Sequence, residues 1–281
     1  MQVTRTVSEV REAVQAARRA GRRVGLVPTM GSLHEGHLSL IRRATSDCDL
    51  VVVSVFVNPT QFNDAADLAA YPRDEARDEA LACGAGATMV FAPGVEEVYR
   101  PGFATSVRLT GPLTETLEGA VRGPDHFWGV ATVVTKLFGM VQPDIAYFGQ
   151  KDAQQCVVVA QLVADLDIAV ELVICPTVRE ADGLAMSSRN RYLSPKEREL
   201  GLKLSKSLFA MRDAFMKGER RASALEATGW RMLERVVGLT PRYLAVVNAD
   251  TMQRVNSARH GDAAVGAIRV GETKLIDNII F

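Results

Sequence analysis

An unbroken run of eight residues at positions 50–57, Leu-Val-Val-Val-Ser-Val-Phe-Val, constrains the fold of this chain more than any other feature. Such a β-branched run is typical of a strand that is buried on both faces of a parallel sheet. Shorter apolar runs predict further strands at 24–27 (ended by Pro28), 88–92, 144–148 and 169–175. Helical spacing predicts helices at 10–17, 38–44, 73–83, 129–141 and 152–166. This alternation predicts an α/β fold built from right-handed βαβ units, with a parallel sheet and flanking helices.

The pattern changes after Pro176. Ser194 and Pro195 open a charged helix that extends towards residue 217, and a second helix is expected at 223–237. Three strand-like runs follow at 243–248, 263–270 and 273–280. Helices followed by strands predict a smaller α+β domain. We therefore expect two domains, residues 1–176 and 177–281.

Composition and charge exclude several classes of protein. Lys plus Arg and Asp plus Glu both number 33, so the net charge gives no electrostatic case for nucleic acid or an anionic membrane as partner. The four cysteines lie far apart, and we expect reduced thiols that pack in the core. Residues 1–21 are charged and helix-patterned, unlike a signal peptide, and no apolar run reaches the ~18 residues of a membrane span. We expect a soluble cytoplasmic protein of enzyme size.

Ligands of parallel α/β sheets bind beyond the carboxyl ends of the strands, so residues 28–37, 58–62 and 148–152 should border one crevice. Residues 28–37 read Pro-Thr-Met-Gly-Ser-Leu-His-Glu-Gly-His and open a helix, which predicts free backbone N–H groups facing the ligand. His34 and His37 can bond phosphate oxygens and donate a proton. A metal-binding pair, which lacks an evident third ligand, and a pair of structural histidines are the alternatives.

Three further segments carry polar groups suited to a charged ligand. The amides of Asn58 and Gln61 can orient a carboxylate without adding charge, although an ordinary Asx turn is the alternative. Lys151 supplies a point charge for phosphates, with the alternative of a solvated helix start. Asp152 could cap the helix, or hold a ribose hydroxyl or a water on Mg²⁺, and Gln155 should point back to the crevice.

The last segment, Met186-Ser187-Ser188-Arg189-Asn190-Arg191, follows the expected domain boundary. Two hydroxyls followed by a guanidinium can cradle phosphate charge that grows in a transition state. An exposed polar hinge is the alternative.

These segments together resemble the pantothenate synthetase (pantoate–β-alanine ligase) family of the HxGH nucleotidyltransferase superfamily, which includes class I aminoacyl-tRNA synthetases. The resemblance extends over almost the whole chain, through VPTMGSLHEGHLSLI, VSVFVNPTQF, AAYPRDE, VVTKLFGMVQPDIAYFGQKDAQQ, PTVREADGLAMSSRNRYLS and IRVGETKLIDN. It implies a homodimeric, Rossmann-like enzyme whose C-terminal domain forms a lid. ATP with Mg²⁺ would activate pantoate as pantoyl-adenylate and release pyrophosphate, after which β-alanine displaces AMP to give pantothenate.

The resemblance also implies roles for residues at matching positions. ATP would contact Pro28, Thr29, Met30, Gly31, His34, Gly36, His37, Gly149, Gln150, Lys151, Asp152, Val178, Met186, Ser187, Ser188 and Arg189. The catalytic groups would be His34, His37, Lys151, Ser187, Ser188 and Arg189, of which residues 186–189 form a mobile KMSS-type loop. Pantoate and β-alanine would contact Asn58, Gln61, Arg122 and Gln155. No protein metal ligands are implied, because Mg²⁺ travels with ATP.

Residues 122–127 depart from the family pattern. The family reads Arg-Pro-Gly-His-Phe where this chain reads Arg122-Gly123-Pro124-Asp125-His126-Phe127, which adds one residue and a carboxylate. We expect Arg122 to be displaced from its family position. Gly139 replaces a common Asn and is expected to be a surface or helix-end variation.

Two other functions fit part of the pattern. A nucleotidyltransferase of the same superfamily would keep AMP or CMP in its product, whereas the expected ligase releases AMP. A nucleotide-binding regulatory or scaffold protein on the same fold would bind ATP without turnover.

Overall fold

A computed structural model describes residues 1–281, and the chain divides into two compact units. Unit 1 comprises Met1–Thr110, Arg122–Gly149 and Val158–Pro176. Unit 2 comprises Gly111–Val121, Gln150–Val157 and Thr177–Phe281. None of the helices combines the length and apolarity that crossing a bilayer requires.

Unit 1 contains a six-stranded parallel sheet, which confirms the predicted fold class. Its strands are β1 Gln2–Thr4, β2 Val24–Thr29, β3 Leu50–Val55, β4 Met89–Phe91, β5 Ile145–Gly149 and β6 Glu171–Cys175, in the order β1-β4-β3-β2-β5-β6. The β-branched run forms β3, where Val51, Val52 and Val53 are almost fully buried. Val51 and Val53 pack with Ile41 in one core cluster, while the alternating Val52 points away from them. The strand is therefore buried on both faces, as the run predicts.

Seven of the eleven helices were predicted, each to within about five residues at its ends, and the four short helices Ala65–Ala70, Val95–Val98, Pro112–Glu115 and Glu118–Arg122 were not. The eleven helices are α1 Val7–Arg19, α2 Glu35–Asp47, α3 Ala65–Ala70, α4 Glu75–Gly84, α5 Val95–Val98, α6 Pro112–Glu115, α7 Glu118–Arg122, α8 Pro124–Val141, α9 Ala153–Asp165, α10 Pro195–Met216 and α11 Ala222–Leu233. Short 3₁₀ turns occupy Pro59–Gln61, Gln150–Asp152 and Ser188–Tyr192. Ser194 caps α10 in a reciprocal capping box with Glu197, and Pro195 takes the first helical position.

In unit 2 an antiparallel sheet is formed by β7 Leu239–Val247, β8 Ala263–Val270 and β9 Thr273–Ile280, in that order. Helices α10 and α11 cover the sheet through a shared apolar cluster that includes Leu208, Met211, Leu225, Leu244 and Ile268. The small α+β architecture expected for the C-terminal region is thus present.

Three local predictions are wrong. The N-terminal region is not helical from its start, because Gln2–Thr4 form β1 and pair in parallel with β4. Pro28 does not end β2, which continues to Thr29. Beyond Leu26 only β3 pairs with β2, so the proline can turn its missing N–H to the unpaired side. Cys83 is exposed rather than packed in the core.

Candidate active site

The loop between β2 and α2 carries the two histidines, and its backbone turns sharply before them. Gly31 and Ser32 both have positive φ values, 79° and 52°. Glycine adopts this region freely, but for serine it is uncommon and requires support from the surrounding structure. Ser32 and Leu33 are buried, so the turn lies inside the unit rather than on its surface.

At the turn of this loop the backbone N–H groups are bonded within the protein, whereas the sequence pattern predicts free N–H groups facing the ligand. The N–H of Gly31 donates to Thr29 Oγ1 at 3.1 Å. The Ser32 and Leu33 N–H groups both donate to the Asp78 carboxylate, each at 2.7 Å. The N–H groups of Gly31, Ser32 and Leu33 are therefore not available to a phosphate.

The two imidazoles cap α2 reciprocally. His34 Nδ1 accepts the Gly36 N–H at 3.1 Å, and His37 Nδ1 accepts the His34 N–H at 3.3 Å. The rings lie 4.0 Å apart between centroids. Because Nδ1 accepts in both rings, each neutral imidazole carries its proton on Nε2. The pair can therefore act as two Nε2–H donors. The structure contains no group of three metal-ligating side chains that would turn this pair into a metal site.

Gln61 lies beside the histidine loop and is held on both ends. Its Oε1 accepts from Asn58 Nδ2 at 3.0 Å, and its Nε2 donates to Met30 Sδ at 3.1 Å. Its main-chain oxygen lies 2.8 Å from His126 Nδ1, which must donate to it. The Gln61 amide is thus oriented with its N–H edge beside Met30.

Asn58 is almost fully buried, with 1% of its surface exposed. Its Nδ2 also donates to Gly129 O at 3.1 Å, and its Oδ1 accepts from the Tyr99 hydroxyl at 2.8 Å. Burial raises the pKa of the Tyr99 phenol, so the hydroxyl remains a donor at neutral pH. These contacts orient Gln61, whereas direct contact of Asn58 with a substrate stays a prediction.

Gly123, which lies in the segment that departs from the family pattern, has φ 85° and is followed by Pro124 as the first residue of α8. The Arg122 carbonyl accepts a hydrogen bond from Asn63 Nδ2, so the turn is tied to the segment after Gln61. The function of Arg122 stays a prediction. His126 was missed as a functional candidate, although a histidine in the first turn of an apolar helix was a usable signal.

In unit 2, the turn Gln150–Asp152 precedes α9. Lys151 Nζ lies 3.3 Å from Asp152 Oδ1, and the Lys151 side chain is 20% exposed. Asn278 of β9 donates from Nδ2 to the carbonyls of Gln150 and Lys151, at 2.7 and 3.0 Å. Asn278 belongs to the closing motif of the sequence, but nothing local predicts this contact.

Replacing Asn278 with Ala should therefore impair the use of ATP. The change leaves two part-buried carbonyls without this partner, and we expect a loss of about 1 kcal/mol in the free energy of unfolding. If Lys151 binds phosphate, the KM for ATP should rise by about tenfold or more. Thermal unfolding and steady-state kinetics measure both effects. Asn248→Ala, which removes turn hydrogen bonds elsewhere in unit 2, is the control. An unchanged KM for ATP in Asn278→Ala would contradict the prediction.

The segment of residues 186–191 continues from a short hairpin in which Arg179 bridges Ala185. Ser187 Oγ accepts the Arg189 N–H at 3.3 Å and so caps the turn Ser188–Tyr192. The Met186 N–H donates to Val178 O at 3.0 Å. Ser187 keeps its own O–H as a donor.

Ion pairs brace this hairpin at its base and in its turn. Arg179 forms a bidentate pair with Asp277 at 2.7 and 2.9 Å, and Asp277 is buried. Arg198 of α10 reaches Glu180 and Asp182, both at 2.6 Å. Burial acts to raise the pKa of Asp182, but the hydrogen bonds from Arg198 and a backbone N–H outweigh it and lower that pKa. The hairpin is thus held, and the Ser-Ser-Arg sequence follows directly after it.

The predicted site residues divide between the two units. Unit 1 contains Pro28, Thr29, Met30, Gly31, His34, Gly36, His37, Asn58, Gln61, Arg122 and Gly149. Unit 2 contains Gln150, Lys151, Asp152, Gln155, Val178, Met186, Ser187, Ser188 and Arg189. Contacts within each unit unite Met30 with Gln61, His34 with His37, and Met186 with Val178. Gln155 and Val178 are partly buried in unit 2.

Nucleotide-binding α/β enzymes share the arrangement seen here. A parallel sheet has an interior strand, and the loop after that strand carries histidines and opens a helix. The family model described as pantoate-beta-alanine ligase matches residues 2–280. The chain belongs to the pantoate–beta-alanine ligase family.

Individual relatives agree with this assignment. Pantothenate synthetase 1 of Bradyrhizobium diazoefficiens is 52% identical over 281 residues, which cover 100% of this chain and 98% of the relative. The crystal structure of pantothenate synthetase from Thermus thermophilus has 48% identity and a TM-score of 0.94, and covers 100% of this chain and 99% of that one. A pantoate-beta-alanine ligase structure from Francisella tularensis, complexed with beta-gamma ATP and beta-alanine, has 29% identity and a TM-score of 0.81, and covers 100% and 97%.

Proposed function

We propose that this chain joins pantoate to β-alanine with ATP, through a pantoyl-adenylate, and releases pyrophosphate and then AMP. The match of residues 2–280 to one ligase family is the observation that carries the proposal. The contacts within each unit support specific roles for the residues that sequence analysis singled out.

In the first step a pantoate carboxylate oxygen attacks the α-phosphorus of ATP, and the bond from that phosphorus to the pyrophosphate oxygen breaks. Negative charge grows on phosphate oxygens, so positioned donors stabilise the transition state. His34 and His37 donate from Nε2, because Nδ1 of each ring is occupied by the helix cap. We propose that Lys151 and the segment with Ser187, Ser188 and Arg189 act on the same ATP molecule.

Gln61 orients the pantoate carboxylate through its amide, with Gln155 as the second amide. An amide donor adds no positive charge and leaves the nucleophilicity of the carboxylate largely intact. Asn58 and Met30 hold the Gln61 amide in one orientation, so its N–H edge is preorganised. Arg122 is proposed as a further substrate contact.

In the second step the β-alanine amine attacks the acyl carbon of the adenylate. The C–N bond forms, the bond from that carbon to the AMP oxygen breaks, and the amine loses a proton. Gln61 borders the approach of the amine in this proposal. The reaction then leaves pantothenate and AMP.

The remaining parts of the proposal concern cofactor, assembly and motion. Mg²⁺ accompanies ATP and neutralises phosphate charge when bound. The ion would be held chiefly by the phosphates, with Asp152, next to Lys151, as the carboxylate candidate. We further propose a cytoplasmic homodimer in which residues 177–281 serve as a lid over a domain of residues 1–176.

Purified protein should release AMP only when ATP, Mg²⁺, pantoate and β-alanine are all present, and omission of each component tests this. Exchange of labelled pyrophosphate into ATP should need pantoate but not β-alanine, because the adenylate forms first. AMP retained in the product would indicate a nucleotidyltransferase instead. ATP binding without turnover would indicate a regulatory protein.

A further inference from the structure

We propose that Asp78 is a positioning residue for ATP, which acts through the loop that carries Met30 and His34. The inference rests on the proposed function and adds a residue that no sequence pattern assigned. Asp78 lies on α4 and is 1% exposed. An acidic residue this deeply buried must have its oxygens satisfied by hydrogen bonds or ion pairs.

Both carboxylate oxygens of Asp78 are bonded to the loop. Oδ2 accepts the Ser32 N–H and Oδ1 accepts the Leu33 N–H, each at 2.7 Å. The neighbouring Arg77 donates from Nη1 to Leu33 O at 3.3 Å. Adjacent residues of one helix therefore grip Leu33 at its N–H and at its carbonyl. A Cβ at Gly31 would lie 2.8 Å from Asp78 Oδ2, so the glycine makes this approach possible.

The carboxylate explains why the loop adopts its conformation. Successive N–H groups that converge in such a turn form an anion-binding nest. Here the anion is the protein's own carboxylate, so the nest does not serve a phosphate. The hydroxyl of Ser32 has no hydrogen-bond partner, so the side chain of Ser32 does not stabilise the positive φ of this residue. Asp78 thus supplies the interaction that holds the turn.

The positioning effect follows from where the turn lies in the chain. Met30, which accepts from Gln61, precedes the turn, and His34, which caps α2, follows it. A shift of the turn would move the imidazole pair and loosen the Gln61 amide together. A displacement of about 1 Å in a reactive site can cost on the order of 10²-fold in rate.

Asp78→Asn tests the proposal. The asparagine side chain has nearly the same shape as aspartate, but its NH₂ group cannot accept a hydrogen bond from the loop N–H that it faces. We expect the KM for ATP to rise at least about tenfold and kcat to fall. The matched control is Asp144→Asn, since Asp144 Oδ2 accepts the Val24 N–H at 2.7 Å at the other end of β2. That control should lose stability without a change in the KM for ATP.

A second variant separates positioning from folding. Ser32→Gly removes the conformational cost of the positive φ. The double variant Ser32→Gly, Asp78→Asn should therefore have a lower KM for ATP than Asp78→Asn alone. It also provides a folded background if Asp78→Asn alone unfolds. Two outcomes would overturn the proposal. In the first, the double variant regains thermal stability but its KM for ATP stays as high as in Asp78→Asn. In the second, Asp78→Asn loses stability without a change in the KM for ATP, as Asp144→Asn should. Wild-type protein without pantoate-dependent pyrophosphate exchange would instead refute the proposed function.

Discussion

Gly129→Ala should lower the free energy of unfolding by about 3 kcal/mol and abolish ligase activity. A Cβ at position 129 would lie 2.4 Å from the carbonyl oxygen of Thr60 and 2.7 Å from the Gln61 nitrogen. Both contacts are with backbone atoms, so no side chain can rotate away. Helix α8 or the turn Pro59–Gln61 would have to move, and Asn58 would lose its bond to Gly129 O. Urea unfolding and the AMP-release assay measure the two effects.

Gly139→Ala is the matched control on the same helix. No atom lies within 4 Å of a Cβ built at this position, and alanine is the better helix former. We expect a stability gain of about 0.5–1 kcal/mol with full activity. Equal stabilities of the two variants would show that α8 does not pack against the Gln61 turn as described.

Lys151→Ala should slow adenylation by about 10²- to 10³-fold while the fold remains nearly as stable as in the wild type. The side chain forms only a 3.3 Å contact with Asp152, and partly exposed pairs of this kind contribute little to stability. The main-chain oxygen of Lys151 still accepts from Asn278, so the turn should persist. The loss should thus concern the charge that Lys151 offers to phosphate.

Pantoate-dependent pyrophosphate exchange measures the adenylation step by itself, and thermal unfolding monitors the fold. Lys274→Ala on β9 is the control, because Lys274 is exposed in the same unit and belongs to no predicted site. It should leave both readouts unchanged. A drop in thermal stability of Lys151→Ala as severe as its loss of exchange would argue against a catalytic role.

Much of the fold was predictable because its elements follow from local periodicity. The two final strands begin and end where the apolar runs at 263–270 and 273–280 do. The buried run at 50–57 forms a strand as predicted, although it ends at Val55. Ser194 and Pro195 open α10 because a capping side chain and a preset φ act within one turn of the chain. The class of sheet follows from the alternation of such elements.

Sequence pattern also located the histidine loop, but it misjudged how the loop is stabilised. Its N–H groups were expected to be free, because the loop follows a strand and opens a helix. Asp78 lies 46 residues from Ser32 and reaches it only because α4 packs beside the loop. One feature of the sequence could have indicated this buried carboxylate. Asp78 lies on the same face of α4 as the buried Ala82, at a position where an apolar residue is usual.

The sequence by itself determined the α/β class, the order of most helices and strands, and the residues that identify the family. These depend on side-chain type and spacing over a few turns of chain. Only the tertiary structure decided that Asp78 fills the nest, that Asn278 holds the carbonyls beside Lys151, and that Gly123 takes a positive φ before α8. The first two depend on packing between distant segments, because a hydrogen bond requires atoms within about 3 Å of each other, whatever their separation along the chain.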